Sequence, residues 1–259
     1  MLTRVIAATL AALLAFAAPA AAQSSAAPPT AEERQRIETI VREYLLRNPE
    51  ILQEALVELE KRQAQAEDRA RAEAFNANRD ALYRSPNQVV LGNPNGDVTL
   101  VEFFDYNCGF CKRALPDTVE LLRADPRIRL VLKDFPVLGP GSVEAAQVAV
   151  ALKMQVQGPK YYEFHQKLLG GRGQATGARA LEVAREIGAD TDRLQRDIQS
   201  PQVRATLAEN ARLAELLRIN GTPTYVVGDE VVVGAVGLDR LRENIIRARA
   251  SCARQPNMC

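Results

Sequence analysis

The feature that most constrains this chain is a pair of cysteines two residues apart, Cys108 and Cys111. Residues 98–104 (VTLVEFF) precede the pair as a continuous apolar run with one acid, Glu102, which is typical of a buried strand. Residues 112–122 follow it with helical spacing. Cysteines so spaced can close a small disulfide, and a helix N-terminus favours the thiolate of the first. The sequence therefore predicts a thiol–disulfide redox centre.

The two cysteines have different predicted roles. We expect Cys108 to be the exposed nucleophile and Cys111, one turn into the helix, to be the buried resolving thiol. A structural disulfide and half of a zinc site are the alternatives. Zinc needs two further ligands, and only Cys252, Cys259 and His165 are available, none in a paired motif nearby. We therefore predict neither metal nor cofactor, and we interpret His165 as a structural or surface residue.

Glu102 is a candidate proton acceptor. It lies six residues before Cys108 on the apolar run. A carboxylate buried there would have a raised pKa and could take up the proton of Cys111. An exposed acid on an edge strand is the alternative.

Thr222 and Pro223 are candidate substrate-binding residues. A proline that enters a strand at this point predicts a cis peptide bond, with an ordinary trans turn as the alternative. The flanking backbone could offer strand-like hydrogen bonds to a bound peptide. Gly109 and Phe110, between the two cysteines, complete the predicted substrate-binding set.

The order of the remaining patterns predicts the fold class. Strand patterns flank the cysteine pair, a stretch without strand signal at 142–218 has helical spacing, and a hairpin and a closing helix follow. This order predicts an α/β (α+β thioredoxin-like) fold with a central mixed sheet and an inserted helical subdomain. The patterns lie at 89–91, 98–104, 112–122, 128–132, 225–233 and 238–249.

The first 22 residues have the pattern of a secretory signal peptide. Arg4 precedes a short apolar run, and small residues lie before Gln23. The alternative, a membrane anchor, needs a longer run. Export would place the protein in the periplasm, where disulfides persist. Without Arg4 the 33 basic residues become 32, which equals the 32 acidic residues, so we expect no nucleic-acid partner.

Residues 23–60 form a predicted helical oligomerisation arm. Apolar residues recur at helical spacing over 37–59 and must be buried somewhere. We expect a homo-oligomer through 37–59; the alternative is packing against the catalytic domain of the same chain. Residues 61–85, with a narrow alanine stripe, are predicted to be a solvent-exposed helical linker, and 86–259 to be the catalytic domain.

The C-terminal cysteines, Cys252 and Cys259, are predicted to form a structural disulfide that holds the tail after the last helix. A second redox pair, or a copper-binding thiol pair together with Met258, stays open as an alternative.

Three segments together resemble the DsbA-like branch of the thioredoxin superfamily: 101–111 (VEFFDYNCGFC), 133–136 (KDFP) and 221–224 (GTPT). Segment 40–52 (IVREYLLRNPEIL) resembles the arm of suppressor-of-copper-sensitivity protein C (ScsC) relatives. The resemblance covers residues 86–250 and the arm. It implies that the cysteine pair supplies nucleophile and resolving thiol, that Glu102 is the buried acid, and that Thr222 and Pro223 form a cis-proline loop. It also implies oligomers with disulfide isomerase activity.

The dipeptide between the cysteines departs from the family pattern. Strongly oxidising DsbA proteins have a histidine where this chain has Phe110, and ScsC relatives commonly have Pro-Tyr where this chain has Gly-Phe. An aromatic ring cannot replace imidazole in stabilising the thiolate, so we expect a less oxidising centre.

Three functions follow from these features. The first is an oligomeric disulfide isomerase or reductase, the second is a monomeric DsbA-like oxidase, and the third is a periplasmic copper-binding thiol protein. Expected partners are unfolded or misoxidised exported proteins and a DsbD/ScsB-like membrane reductant, or a DsbB-like oxidant for the oxidase.

Overall fold

The computed structural model describes residues 28–254. The chain divides near Lys61 into two compact units, which are described separately. The elements are α1 (Ala31–Arg47), α2 (Glu50–Tyr83), β1 (Val89–Gly92), β2 (Val98–Phe104), α3 (Gly109–Ala124), β3 (Ile128–Asp134), α4 (Pro140–Leu152), α5 (Pro159–Leu169), α6 (Gly177–Glu186), α7 (Thr191–Asp197), α8 (Pro201–Leu216), β4 (Thr224–Val227), β5 (Glu230–Val233) and α9 (Leu238–Arg254).

The C-terminal unit is built on a five-stranded mixed sheet in the order β1-β3-β2-β4-β5. Strands β2 and β3 are parallel, and the other neighbours are antiparallel. Every residue of the central strand β2 is buried, as its apolar run predicts. The predicted mixed α/β fold is therefore confirmed. The stretch predicted to be helical, 142–218, holds α4 to α8 with no strand among them in the described chain.

Alternate residues of β2 enter two separate hydrophobic clusters. Leu100 and Phe104 belong to the larger cluster, which holds both Cys108 and Cys111 together with residues of α3 to α9. Val101 and Phe103 enter the smaller cluster on the other face of the sheet. The sheet thus places the cysteine pair against the larger core.

The prediction that residues 61–85 are a solvent-exposed linker is wrong for the last part of this segment. Phe75, Leu82 and Tyr83 are buried and belong to the smaller cluster. Asn78 departs from helical geometry, with φ −115° and ψ 15°, and kinks α2 before this segment ends. Three large side chains in an alanine-rich stretch are too few to show a stripe in the sequence, although together with residues of α8 they cover one face of the sheet.

The N-terminal unit consists of α1 and the first part of α2. A capping box between Thr30 and Glu33 begins α1, as the acidic first turn favours. No residue of α1 is buried. Large apolar side chains of this unit are half or more exposed: Ile37, Ile40, Val41, Tyr44, Leu46, Leu52, Leu56, Val57 and Leu59.

The predicted signal peptide, residues 1–22, and Cys259 lie outside the described residues. Within residues 28–254, no helix has the length and apolar character needed to cross a membrane.

Candidate active site

The cysteine pair lies where β2 passes into α3. Cys108 is the N-cap of α3, and its Sγ accepts a hydrogen bond from the backbone N–H of Cys111 at 3.4 Å. Both cysteines are free thiols. The first sulfur therefore lies at a helix N-terminus, where N–H groups can stabilise negative charge, as the sequence predicts.

Cys108 is not exposed, however. Only 5% of the residue is accessible, so that part of the prediction is wrong. Its Sγ donates to the carbonyl oxygen of Thr222 at 3.1 Å, and the loop that carries Thr222 covers the sulfur. The Thr222–Pro223 peptide bond is cis, as predicted. The predicted nucleophile and the predicted substrate-binding loop are thus in direct contact.

Glu102 lies in the middle of β2 and is 2% exposed, so the alternative of an exposed edge acid is wrong. Burial raises its pKa to about 7, and the hydroxyl of Tyr225, its cross-strand neighbour on β4, opposes part of this rise. Cys111 is completely buried. Burial, mainly, and the nearby charge of Glu102 raise the pKa of the Cys111 thiol well above its ordinary value. A buried acid that titrates near neutrality therefore lies close to a thiol that resists ionisation.

Asp105 shapes the loop before the cysteines, a role that sequence reasoning missed. One of its carboxylate oxygens accepts from the N–H of Asn107 at 2.7 Å. The other accepts from the N–H groups of Val137 and Leu138 at 2.8 and 3.0 Å. The contact with Asn107, two residues on, is an Asx-turn, which the sequence could have indicated. The other two contacts join the redox loop to the connection between β3 and α4.

Sequence reasoning also missed the role of Asn107, which connects the redox loop to the helical insertion. Its amide nitrogen donates to Ser142 Oγ at 3.0 Å and to the carbonyl of Ala175 at 2.9 Å, while its amide oxygen accepts from the N–H of Ala175 at 2.7 Å. On α3, Lys112 Nζ donates to the carbonyls of Gly171 and Gly173, each at 3.0 Å. The redox loop is therefore hydrogen-bonded to the helical insertion on both sides of Cys108.

The dipeptide between the cysteines faces solvent. Phe110 is 57% exposed, and the Arg113 guanidinium lies over its ring at 4.2 Å from the centroid. A Cβ at Gly109 would meet no atom within 4 Å. Val137 and Leu138, which Asp105 holds, are also exposed. These residues provide apolar surface that a substrate peptide can cover.

His165 is buried. Of the two predicted alternatives, a surface position is therefore wrong, and a structural role stays the interpretation. Burial lowers its pKa to about 3, which keeps the imidazole neutral. Its Nδ1 lies 3.4 Å from the hydroxyl of Tyr106.

Within the described residues, no cluster of three or more metal-ligating side chains occurs. Cys252 is disulfide-bonded, whereas its predicted partner, Cys259, lies outside the described residues.

Comparison with known families agrees with this geometry. The family model of the DSBA-like thioredoxin domain matches residues 99–246, from the second residue of β2 into α9. The chain belongs to this family. The model of the copper resistance protein ScsC N-terminal domain matches residues 33–66, from the third residue of α1 to the middle of α2.

Solved structures of other proteins are also similar to this chain in sequence and in fold. A thioredoxin-like oxidoreductase from Silicibacter pomeroyi is 48% identical, with a TM-score of 0.64 over 67% of this chain and 98% of that one. A linker-deletion mutant of Proteus mirabilis ScsC is 26% identical, with a TM-score of 0.65 over 88% of this chain and 100% of that one.

Curated relatives include a sodium/proton antiporter, NhaA 1 of Salinispora arenicola. It is 29% identical over 169 residues, which are 64% of this chain and 26% of the antiporter. The chain thus spans about a quarter of the length of this relative.

Proposed function

We propose that this protein is a thiol–disulfide oxidoreductase of the DsbA/ScsC type that acts as an oligomeric disulfide isomerase or reductase on exported proteins. The observation that carries the proposal is the contact set around Cys108. Its sulfur caps α3, accepts from the Cys111 N–H and touches the Thr222 carbonyl. Membership of the DSBA-like family supports the same chemistry.

The exchange begins at Cys108. Its thiolate attacks one sulfur of a substrate disulfide, a new S–S bond joins enzyme and substrate, and the other substrate sulfur leaves as a thiolate. In isomerisation, a substrate thiolate attacks a second substrate disulfide and releases a different thiolate. This thiolate attacks the substrate sulfur of the mixed disulfide, so that a new substrate S–S bond forms and Cys108 leaves as a thiolate. The contact of the Thr222 carbonyl with Cys108 and the exposure of Phe110 support a substrate-binding role for both residues.

Cys111 provides the route out of a stalled mixed disulfide. Its thiol gives a proton to the carboxylate of Glu102, and the resulting thiolate attacks the sulfur of Cys108. The substrate leaves as a thiolate, and a Cys108–Cys111 disulfide remains. Because the pKa of Glu102 is about 7, a substantial fraction of this acid is ionised at neutral pH and can accept the proton.

The N-terminal segment supports isomerase rather than oxidase activity. Its apolar side chains are exposed, and the ScsC N-terminal family model matches there. We propose residues 23–60 as an arm that joins copies of the chain, 61–85 as a helical connection and 86–259 as the catalytic domain. Joined copies would present several redox centres to one substrate at high effective concentration. The periplasm and a DsbD/ScsB-like reductant are the proposed location and partner.

A substitution on α1 tests the arm. Ile40→Asp places a charge among the exposed apolar residues, and Thr39→Asp adds the same charge one position away on a polar residue. We expect Ile40→Asp to lower both the sedimentation coefficient and the reactivation of scrambled ribonuclease, and Thr39→Asp to leave both unchanged. A wild-type protein that sediments as a monomer would contradict the oligomer.

The oxidase alternative has its own test. DsbA-like oxidation requires a reduction potential near −120 mV, whereas reducing members of this superfamily lie near −270 mV. Equilibration with glutathione measures the potential, and a value at the oxidising end together with failure to reactivate scrambled ribonuclease would favour the oxidase.

A further inference from the structure

A cavity of about 680 Å³ opens beside the edge strand β1. Its wall comes from the connection between α2 and β1, from β1 and β3, and from the connection between α4 and α5. Three cationic side chains line it: Arg84, Arg129 and Lys153. Among the described lining residues none is acidic, and none belongs to the redox centre. The cavity therefore concentrates positive charge at a place that thiol exchange does not use.

Arg84 forms an ion pair with Asp80 at 3.4 Å. The positive charge of the other two side chains is not neutralised by a carboxylate in the described chain. Arg129 donates to the Tyr83 carbonyl at 2.8 Å, and Lys153 Nζ donates to the Pro86 carbonyl. Burial lowers the pKa of both groups, and the charge of Arg84 lowers that of Arg129 further. Removing cations from water without a counter-charge is unfavourable, so an anion in the cavity would be stabilised.

We infer that this cavity binds a small organic polyanion. Its carboxylate or phosphate groups would pair with Arg129 and Lys153, and with Arg84 in exchange for the ion pair of Arg84 with Asp80. The volume lies within the range of small-molecule sites and exceeds what a single inorganic ion needs. The site is independent of the cysteine chemistry.

Calorimetric titration at fixed ionic strength tests the site with citrate, which carries three carboxylates, and with acetate, which carries one. We expect saturable binding of one citrate per chain and at least about tenfold weaker binding of acetate, since a single carboxylate can pair with only one of the cations. Pyrophosphate, as a third probe, shows whether phosphate groups replace carboxylates. Absence of saturable binding of both citrate and pyrophosphate would overturn the inference.

Charge-removing variants locate the binding. Lys153→Gln should weaken citrate binding by about tenfold, and Arg84→Gln should weaken it less, because Arg84 is already paired with Asp80. Arg196→Gln removes the same charge from an exposed position on α7 and should change nothing. Cys108→Ser should bind citrate like the wild type, which separates this site from the redox centre. Equal weakening in Arg196→Gln and Lys153→Gln would show unspecific attraction and would refute the site. Thermal unfolding of each variant without ligand identifies any loss that comes from misfolding.

Discussion

Charged side chains are usually exposed and apolar side chains usually buried. The two compact units depart from this rule in opposite directions. The C-terminal unit buries the acids Glu102, Asp105 and Asp134 beside its redox loop. The N-terminal unit leaves nine large apolar side chains half or more exposed on α1 and the start of α2. Buried acids and exposed apolar runs are each unfavourable for an isolated monomer. Each reversal coincides with a region for which we propose a function.

The acids of the C-terminal unit differ among themselves. The carboxylate of Asp105 accepts three backbone N–H groups, which compensates its burial. Asp134 has an unpartnered Oδ1 among the described residues, and burial raises its pKa to about 7, as it does for Glu102. Asp105 thus fixes the backbone of the redox loop, whereas Glu102, with its raised pKa, is able to accept and release a proton. The exposed apolar side chains of the N-terminal unit are not covered by other described residues of that unit, so we expect another copy of the chain to cover them.

The largest expected effect belongs to the sulfur pair. Cys108→Ser should lower the rate of thiol–disulfide exchange at least about a thousandfold, because a hydroxyl is a far weaker nucleophile than a thiolate. Cys111→Ser should instead accumulate mixed disulfides, visible by mass spectrometry with a peptide disulfide. Exchange that survives in Cys108→Ser would mean that the nucleophile lies elsewhere.

The second effect concerns Glu102 and pH. Its folded pKa of about 7 exceeds the ordinary value of 4.5, so the folded state binds a proton that the unfolded state has released. Its contribution to stability is therefore fully present below pH 4.5 and is lost as pH rises towards 7. Glu102→Gln removes the titration and should raise the free energy of unfolding at pH 8 by about 3 kcal/mol. Denaturant unfolding at pH 5 and pH 8 measures this difference.

The same variant separates stability from chemistry. Glutamine cannot accept a proton, so resolution of the mixed disulfide by Cys111 should slow while the first attack by Cys108 is retained. A Glu102→Gln protein that is no more stable at pH 8 than the wild type would show that Glu102 is not a buried titrating acid.

Short-range patterns in the sequence predict much of the structure around the cysteine pair. The apolar run of β2 and the helical spacing after Cys111 depend on neighbours, so the strand, the helix and the position of the sulfur at its N-terminus were predictable. The burial of Cys108 was not, because the covering carbonyl of Thr222 lies 114 residues away. The three large residues near the end of α2 also escaped prediction, since only the folded sheet shows what they cover.

The third effect tests the connection that sequence reasoning missed. Asn107 is hydrogen-bonded to Ala175 in both directions and to Ser142, residues 68 and 35 positions away. Asn107→Leu should lower the free energy of unfolding by about 2 to 3 kcal/mol, because it leaves the buried backbone groups of Ala175 unpaired. Asn107→Asp keeps the acceptor for the Ala175 N–H and should cost less.

A positioning role for Asn107 should also appear in the redox properties. If the amide holds the loop before Cys108, Asn107→Leu will shift the reduction potential measured against glutathione. A destabilised variant with an unchanged potential would leave Asn107 as a packing residue only.

The smallest effect is expected at Gly109, the first residue of α3. Its position is open, because a Cβ would meet no atom within 4 Å. Alanine restricts the unfolded chain and favours the helix, so Gly109→Ala should raise the free energy of unfolding by about 0.5 kcal/mol. Exchange rates should stay within about twofold, since the cysteine sulfurs and the Thr222 carbonyl are untouched. A large loss of exchange in a stably folded Gly109→Ala protein would mean that bound substrate approaches this residue so closely that a single methyl group obstructs it.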